Sequence, residues 1–387
     1  MAHNRQVGVI GEAVFAPKSI EQTSLEEAMY AVTHAALRDA GLAIEDIDGI
    51  VVAGNDQMDG RAITIMMASG SVGGVTRDIL STPSGSEHAF VLGALRVRSG
   101  IYKTQLVVSW SGMEADSLSE VQRLSNDPYY HRSLPLDDLS SHALHANVLE
   151  NEVPQLREAA IELARQLRLN GFKAYPEHSA APLEKVWIEG GKMLRYPITE
   201  GMVTPPSFAA VAMVLADQEW IQTHAGKKVA WVHGMGWATE TAYLGDRNLS
   251  QLTSLEAATG QAYKEAGITQ PNFDVAELAD ATPYQALVAL EGLGLCARKD
   301  WVTTVAKAEY GINGKTTINP SGGAMSFNPV FCSGLMRIAE AANQVRGTAG
   351  SHQKSNVEKT VGHGASGFAM QYNTVIVFGR EPLESLK

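Results

Sequence analysis

Short apolar runs alternate with longer segments of helical periodicity along most of this chain. The runs predict buried strands at residues 7–10, 49–52, 106–109 and 211–215. Apolar residues at helical spacing predict helices at residues 25–40, 89–98 and 255–266. Alternating strands and helices of this kind are typical of α/β layers.

The same pattern occurs twice. Ser24 and Ser254 each precede a predicted helix, and Gly41 and Gly267 follow the two helices at matching distances from the next strand. Serine before a first turn and glycine after a last turn are common helix boundaries. We therefore predict a serine cap on both helices and a duplicated fold.

The repeat divides the chain into an N-terminal half at residues 1–227 and a C-terminal half at residues 228–387. Residues 117–205 differ in character from both halves, with several prolines and a predicted helix at 153–170. We interpret this segment as an insertion into the first half.

Composition excludes several classes of function. The chain has 387 residues and a net charge of −11, without a basic run, which argues against nucleic-acid binding. No apolar stretch reaches the length that spans a membrane, and no secretory signal precedes the first predicted strand. Two cysteines do not make a disulfide framework, and no zinc-ligand spacing occurs. A cytoplasmic protein without a bound metal is expected.

Candidate chemistry is concentrated in four loops, three of which are rich in glycine, serine or proline. The first includes Thr82, Pro83 and Ser84 before a predicted helix. The other three cover residues 277–284, 322–329 and 361–367.

In this order, the four loops resemble the active-site loops of the thiolase superfamily, in its sterol-carrier-type branch. The resemblance implies an α/β fold, the duplicated five-layered α-β-α-β-α thiolase architecture, with the inserted loop domain covering a coenzyme A site. It also implies acyl-CoA chemistry. Thiolases carry a nucleophilic cysteine in the first loop, whereas this chain has only Thr82, Pro83 and Ser84 there.

The resemblance implies roles for four catalytic candidates. His363 replaces a proton-shuttling cysteine and suits a general base. Asn328 precedes Pro329 where thiolases have a histidine in the oxyanion hole, so it is expected to donate to an oxyanion. Tyr284 is a candidate acid or hydrogen-bond donor. Ser84 is a candidate nucleophile that would need an adjacent base.

Further residues in these loops are expected to contact the substrate. They are Thr82, His88, Gly323, Gly364 and Ser366. Simpler interpretations stay open: Ser84 and Ser86 would cap the helix, which we favour, and Tyr284 would be an ordinary half-buried aromatic. Cys332, near the third loop, is expected to be a small core residue.

The loss of the cysteine favours an enzyme that breaks or forms a C–C bond in an acyl-CoA thioester without an acyl-enzyme. The sequence is similar to cysteine-less thiolase-like aldolases, so retro-aldol cleavage is favoured. One alternative is a β-ketoacyl-CoA thiolase or acyltransferase subunit, with the nucleophile on Ser84 or on a partner chain. A second alternative is a non-catalytic scaffold that binds acyl-CoA.

The resemblance also implies the cofactors and partners. Coenzyme A is expected as the thioester substrate, and no covalently bound cofactor is expected. A homodimer is predicted because thiolase lobes pair through an edge strand. A small partner protein with a zinc ribbon and an OB fold is predicted by analogy with the aldolases.

Overall fold

The computed structural model describes residues 5–17, 23–112, 117–224 and 226–383. The strands are β1 Val7–Phe15, β2 Gly49–Ala53, β3 Asp78–Thr82, β4 Thr104–Ser111, β5 Met193–Arg195, β6 Ile198–Thr199, β7 Ala209–Asp217, β8 Ala230–Thr239, β9 Val275–Glu277, β10 Thr317–Ile318, β11 Lys359–Ser366 and β12 Tyr372–Gly379. The α-helices are α1 Leu25–Ala40, α2 Thr64–Ser71, α3 Ser86–Arg98, α4 Leu118–Leu124, α5 Asp138–Glu152, α6 Leu156–Ala174, α7 Lys185–Glu189, α8 Gln218–Thr223, α9 Thr253–Glu265, α10 Pro283–Gly292, α11 Trp301–Ala306 and α12 Ser333–Arg346.

Ten of the strands form one sheet in which the two halves of the chain repeat the same topology. The order β1-β7-β4-β2-β3 in the first half corresponds to β8-β12-β11-β9-β10 in the second. In each half the inner strands pair in parallel and the long last strand pairs antiparallel with both of its neighbours. The halves meet at β1 and β8, where Gly8 pairs with Trp231 and Val9 with Ala230.

Helices cover both faces of each half-sheet and produce five layers. α1 packs on the outer face of the first half-sheet and α9 on the outer face of the second. α3 and α12 pack against each other between the half-sheets. In β7, Val211 and Met213 face this middle layer while Ala212 and Val214 face α1. This arrangement confirms the predicted layered fold; the division at residues 227 and 228 stays a prediction.

The predicted helix caps are only half right. Ser24 caps α1 in a capping box with Glu27, and Gly41 follows with a φ of +64°. The second helix starts earlier than predicted, with Leu252 as its N-cap. The prediction of a Ser254 cap is therefore wrong: Ser254 lies inside the first turn, and its hydroxyl accepts a hydrogen bond from the Asn373 amide at 2.7 Å.

The segment between β4 and β7 contains four α-helices and the β5–β6 hairpin. The helix predicted at 153–170 is observed as α6, displaced by a few residues. α5, which precedes it, was not predicted. Its apolar residues Ala143, Ala146 and Leu149 join the core of the second half. In the described ranges no helix is long and apolar enough to cross a bilayer.

A buried ion pair connects the elements that surround the site described below. Arg337 on α12 contacts Glu277 at the end of β9 at 2.6 Å, and both side chains are almost fully buried. Ser321, in the loop after β10, donates to the same Glu277 oxygen at 2.8 Å and accepts from Arg337 at 2.5 Å. This triad joins α12, β9 and the β10 loop.

Replacing Arg337 should be strongly destabilising because it leaves the Glu277 carboxylate buried and unpaired. We expect Arg337→Ala to lower the free energy of unfolding by about 3–5 kcal/mol, measured by chemical denaturation. Arg380→Ala is the control. Arg380 pairs with Glu358 at 2.9 Å, with 44% and 59% of the two side chains exposed, and its loss should cost less than about 1 kcal/mol. Equal effects of the two variants would contradict the assigned role of the triad.

Candidate active site

All four predicted loops meet at one cavity of about 1480 Å³. Gly85 and Gly334 bring the N-terminal ends of α3 and α12 to its wall. Asp280 and Asn328 line it from the loops after β9 and β10, and the β11–β12 hairpin adds Ser366. The segment between β4 and β7 closes another part of the wall. The structure therefore brings the four predicted loops together at one cavity.

Ser84 lines this cavity immediately before α3. Its hydroxyl lies 2.9 Å from Thr82 Oγ1 and 3.1 Å from His88 Nδ1. Thr82 and His88 are not part of the cavity wall. Both lie behind Ser84, which does line it, and both are hydrogen-bonded to the Ser84 hydroxyl. The three residues form a hydrogen-bonded chain that ends at an imidazole.

Neither predicted serine cap exists on α3. Its N-cap is Gly85, which has no side chain to accept a hydrogen bond. Ser86 instead accepts a hydrogen bond from the Leu335 N–H of α12 at 3.0 Å. The capping interpretation of Ser84 and Ser86 is therefore wrong, and the Ser84 hydroxyl remains available to the cavity.

Glu87 is a site residue that our sequence analysis did not select. It lies in the first turn of α3, lines the cavity and is only 1% exposed. A Cβ atom at Gly85, Gly334 or Gly364 would overlap its side chain. The Ser366 hydroxyl donates to its Oε1 at 2.8 Å. Acidic residues are common in first turns, so the sequence gives no signal that separates this carboxylate from an ordinary one.

These contacts change the roles expected for two substrate-binding candidates. Gly364 leaves the space that the Glu87 side chain occupies. Ser366 lines the cavity and also orients the Glu87 carboxylate. Gly364 itself is not part of the cavity wall.

His363 lies behind the cavity wall. Residues alternate between the two faces of β11, and Gly362 and Gly364 face α12 and the middle layer. His363 points the other way, fully buried, with Nε2 bonded to Asn373 Oδ1 at 2.8 Å and the Ala279 N–H 3.4 Å from Nδ1. Burial lowers its pKa to about 4, and the hydrogen bond that Nε2 donates to Asn373 Oδ1 opposes this effect. Direct proton transfer to a substrate would require this ring to leave both partners.

Tyr284 also lies outside the cavity wall. It is fully buried in the first turn of α10, and its hydroxyl donates to Glu150 on α5. Burial and this carboxylate raise the pKa of the phenol. The side chain joins α10 to α5, and the structure does not bring it to the other catalytic candidates.

Asn328 lines the cavity, and one hydrogen bond to the protein backbone orients its side chain. The amide nitrogen donates one hydrogen bond to the Thr204 carbonyl at 2.9 Å. A primary amide has two N–H donors, so a second one remains for a ligand.

Asp280 and Gly323 shape the loop that carries Asn328. Asp280 Oδ1 accepts from the Ala324 N–H at 2.7 Å. Gly323 has a φ of +64°, and a Cβ atom there would overlap the Asp280 carboxylate. Burial raises the pKa of Asp280 to about 6. Gly323 is therefore placed to fit Asp280, and it is not part of the cavity wall.

The cavity wall is acidic. No lysine or arginine among the described residues lines it, and its only histidines are His131 and His142. Seven carboxylate residues line it: Glu87, Asp127, Asp137, Asp138, Glu200, Asp246 and Asp280. Within the described ranges, no group of three histidine, cysteine, aspartate or glutamate residues is placed to hold a metal ion.

Comparisons with known proteins agree with this geometry. Residues 236–380 match the family described as Thiolase C-terminal domain-like. Human sterol carrier protein 2 is 28% identical over 165 residues, which cover 41% of this chain and 30% of that protein. Over its whole length the chain superposes on a structure described as the Ltp2-ChsH2(DUF35) aldolase, with a TM-score of 0.82, 18% identity and 99% of both chains covered.

The C-terminal half of the chain thus resembles a thiolase C-terminal domain, and the fold of the whole chain is that of solved thiolase-like proteins.

A further thiolase relative is the benzoylsuccinyl-CoA thiolase subunit BbsB of Thauera aromatica. It is 24% identical over 173 residues, which cover 44% of this chain and 45% of that protein. The matched parts thus span less than half the length of these curated relatives. The similarity to sterol carrier protein 2 agrees with the predicted sterol-carrier-type branch of the superfamily.

This thiolase-like chain has no thiol in its cavity wall. Cys332 is fully buried at the N-cap of α12, where burial raises the pKa of the thiol. Cys296 is buried in the core of the second half. The hydroxyl of Ser84 lies in the first of the four predicted loops, and the carboxylate of Glu87 lies in the first turn of α3, which follows that loop.

The Asn328 loop should depend on glycine at position 323. We expect Gly323→Ala to destabilise the fold by about 1–3 kcal/mol, because a side chain is strained at this positive φ and overlaps Asp280. Gly260→Ala is the matched control, since no atom lies within 4 Å of a Cβ there and the residue is inside α9. That change should be neutral or stabilising by up to about 1 kcal/mol. Thermal unfolding of both variants tests this, and an unchanged Gly323→Ala protein would contradict it.

Proposed function

We propose that this chain acts on an acyl-CoA thioester and breaks or forms a C–C bond without a cysteine nucleophile, with retro-aldol cleavage favoured. The observation that carries the proposal is the carboxylate of Glu87, buried at the cavity wall beside the N-terminal ends of α3 and α12. The fold likeness to an aldolase and to acyl-CoA thiolases supports the substrate class.

Retro-aldol cleavage needs a base and a stabilised enolate, and it needs no nucleophile. The base removes the proton of a β-hydroxyl group, the Cα–Cβ bond breaks, and its electron pair forms the enolate of the shorter thioester. Protonation at Cα then gives the shorter acyl-CoA and an aldehyde or ketone. No oxidant or reductant is required.

Glu87 is the base that we propose for this step. The hydroxyl of Ser366 occupies its Oε1, and its Oε2 faces Gly334 at the start of α12. The other buried carboxylate of the site, Asp280, is already engaged by the N–H groups of Ala324 and Met325. Glu87 therefore has more capacity left to accept a substrate proton.

The enolate oxygen would be stabilised by the groups that converge on Glu87. The first N–H groups of an α-helix lack intrahelical partners and attract negative charge, and both α3 and α12 begin at the cavity wall. The second N–H of Asn328 is a further donor. In this proposal His363 keeps the β11–β12 hairpin and the β9 loop in place, through Asn373 and Ala279.

Acyl transfer through Ser84 is a second candidate, favoured by one specific observation. The Ser84 hydroxyl is hydrogen-bonded to the His88 imidazole at 3.1 Å and faces the cavity. A serine activated by an adjacent base can form an acyl-enzyme. Because Thr82 competes for the same hydroxyl at 2.9 Å, we rank this candidate second.

The proposal extends to partners. β3 is an edge strand of the sheet, and Leu80 on it is exposed together with Met66 and Met67 on α2. A second copy that pairs along β3 would cover this edge. The name of the aldolase joins two components, Ltp2 and ChsH2, and BbsB is described as a subunit of a thiolase. Both names support a hetero-oligomer. The same proposal includes a small partner protein with a zinc ribbon and an OB fold. It also includes coenzyme A as the only cofactor-like group and a cytoplasmic location.

A first prediction concerns Glu87. Glu87→Gln preserves the shape of the side chain and removes its basicity, so cleavage of a β-hydroxyacyl-CoA should slow by about 10²–10⁴-fold. Thioester binding should stay within a few-fold of the parent. Chromatographic assay of the shorter acyl-CoA measures the first quantity and titration calorimetry the second. Glu256→Gln, an exposed first-turn glutamate of α9, should leave the rate unchanged. A Glu87→Gln protein that turns over near the parental rate would exclude Glu87 as the base.

A second prediction separates the two candidate functions. Intact-protein mass spectrometry during turnover should show no acyl adduct, and Ser84→Ala should retain most of the parental rate. If Ser84 is the nucleophile, an adduct mapped to Ser84 will accumulate and Ser84→Ala will lose turnover.

A further inference from the structure

The wall formed by α4 and α5 presents a carboxylate that has capacity for a ligand. Asp138, the first residue of α5, is half-buried and lines the cavity together with Gln122 of α4. The Gln122 amide donates to Asp138 Oδ2, and the Asp138 N–H donates back to Gln122 at 3.2 Å. This reciprocal pair fixes the carboxylate and leaves Oδ1 without a protein donor among the described residues.

The preceding residue is different. Asp137 caps α5 and accepts hydrogen bonds from the Ser119 hydroxyl at 2.6 Å and from the Ser140 N–H at 2.8 Å. Its carboxylate is therefore used by the fold. Asp138 is the carboxylate of this wall that can contact an acyl group.

Two buried imidazoles also line the cavity, and one of them, His131, has a nitrogen that points to a polar ligand. His142, one turn after Asp138 on α5, is held by Gln285, whose Nε2 lies 2.8 Å from His142 Nδ1. Thr282 fixes that amide by donating to Gln285 Oε1 at 2.9 Å. His131 also lines the cavity, and its Nε2 is enclosed without a hydrogen-bond partner in the described part of the chain. Such groups are costly unless a ligand or water satisfies them.

Charge decides which polar group this wall accepts. Seven carboxyl groups line the cavity, and no lysine or arginine among the described residues lines it to neutralise an anion. Burial and the neighbouring Asp137 raise the pKa of Asp138 to about 7, so the affinities below are compared above about pH 8, where Asp138 is charged. Like charges placed together in a partly desolvated site repel strongly. A hydroxyl group, by contrast, donates to a carboxylate in a charge-assisted hydrogen bond.

We propose that the wall formed by α4 and α5 binds an uncharged acyl group through a hydroxyl that donates to Asp138. The same wall excludes acyl groups that end in a carboxylate. This inference rests on the proposed acyl-CoA function and adds the class of acyl group. It concerns binding and not the C–C bond step.

The test compares three coenzyme A thioesters of equal chain length, over a series of lengths, whose acyl groups end in a methyl, a hydroxyl or a carboxylate. Their affinities for the whole protein are measured by titration calorimetry, so the phosphates shared by the three probes cancel. At the best length the hydroxyl compound should bind about tenfold more tightly than the methyl compound. It should bind more than tenfold more tightly than the carboxylate compound.

The Asp138→Asn variant tests whether Asp138 causes the preference for the hydroxyl compound. The change keeps the shape of the side chain and removes its charge, so the hydroxyl preference should fall severalfold and the carboxylate compound should gain affinity. Asp300→Asn is the matched control, because Asp300 is exposed and does not line the cavity, and its profile should match the parent. If Asp138→Asn fails to fold, the ranking of the three probes on the parent protein decides alone.

A carboxylate-ended probe that binds the parent as tightly as the hydroxyl probe would overturn the inference. So would an Asp138→Asn profile identical to that of the parent. A clear hydroxyl preference without any cleavage would leave the inference standing and count against the proposed function. Cleavage of the substrate without any preference among the three probes would support the proposed function and overturn the inference.

Discussion

The site depends on one buried ion pair, between Arg337 and Glu277. It forms where the middle helical layer meets the second half-sheet, and Ser321 bonds to both partners. Removing two charges from water is costly, so such a pair persists only when its geometry is well satisfied. Because its members belong to α12, β9 and the β10 loop, satisfying it fixes the relative position of three elements that surround the cavity. Asp280 then holds the next part of the loop through the Ala324 N–H.

This frame surrounds a cavity whose wall includes a buried carboxylate and no cysteine among the described residues. Glu87 occupies space left by Gly85, Gly334 and Gly364, at the junction of α3 and α12. The same helix ends that favour a thiolate in a thiolase here surround a carboxylate, with its orientation set by Ser366. A buried carboxylate with so few partners is typical of a functional group. In the proposed function, the scaffold therefore serves C–C chemistry with a base in place of a nucleophile.

The sequence predicted the position of the site loops better than the direction of their side chains. Caps, glycines and strand spacing are local signals, and they led to the duplicated fold. The four loops were selected by their resemblance to the active-site loops of thiolases. The face of β11 on which His363 lies depends on strand register, and a shift of one residue moves a side chain to the opposite face. Tyr284 also lies outside the cavity wall. Its hydroxyl donates to Glu150 on α5, a helix far from Tyr284 in the sequence. Glu87 was missed because the glycines that enclose it come from three separate parts of the chain.

The product stoichiometry of a reaction without free coenzyme A tests the central claim most directly. A purified β-hydroxyacyl-CoA substrate is incubated with the protein, and all thioesters and carbonyl compounds are quantified. Cleavage without an acyl-enzyme predicts one shorter acyl-CoA and one aldehyde or ketone for each substrate consumed. A parallel incubation contains a β-ketoacyl-CoA and free coenzyme A. Two thioester products from that incubation, with no cleavage of the β-hydroxyacyl-CoA in the first, would show thiolytic chemistry and contradict the account.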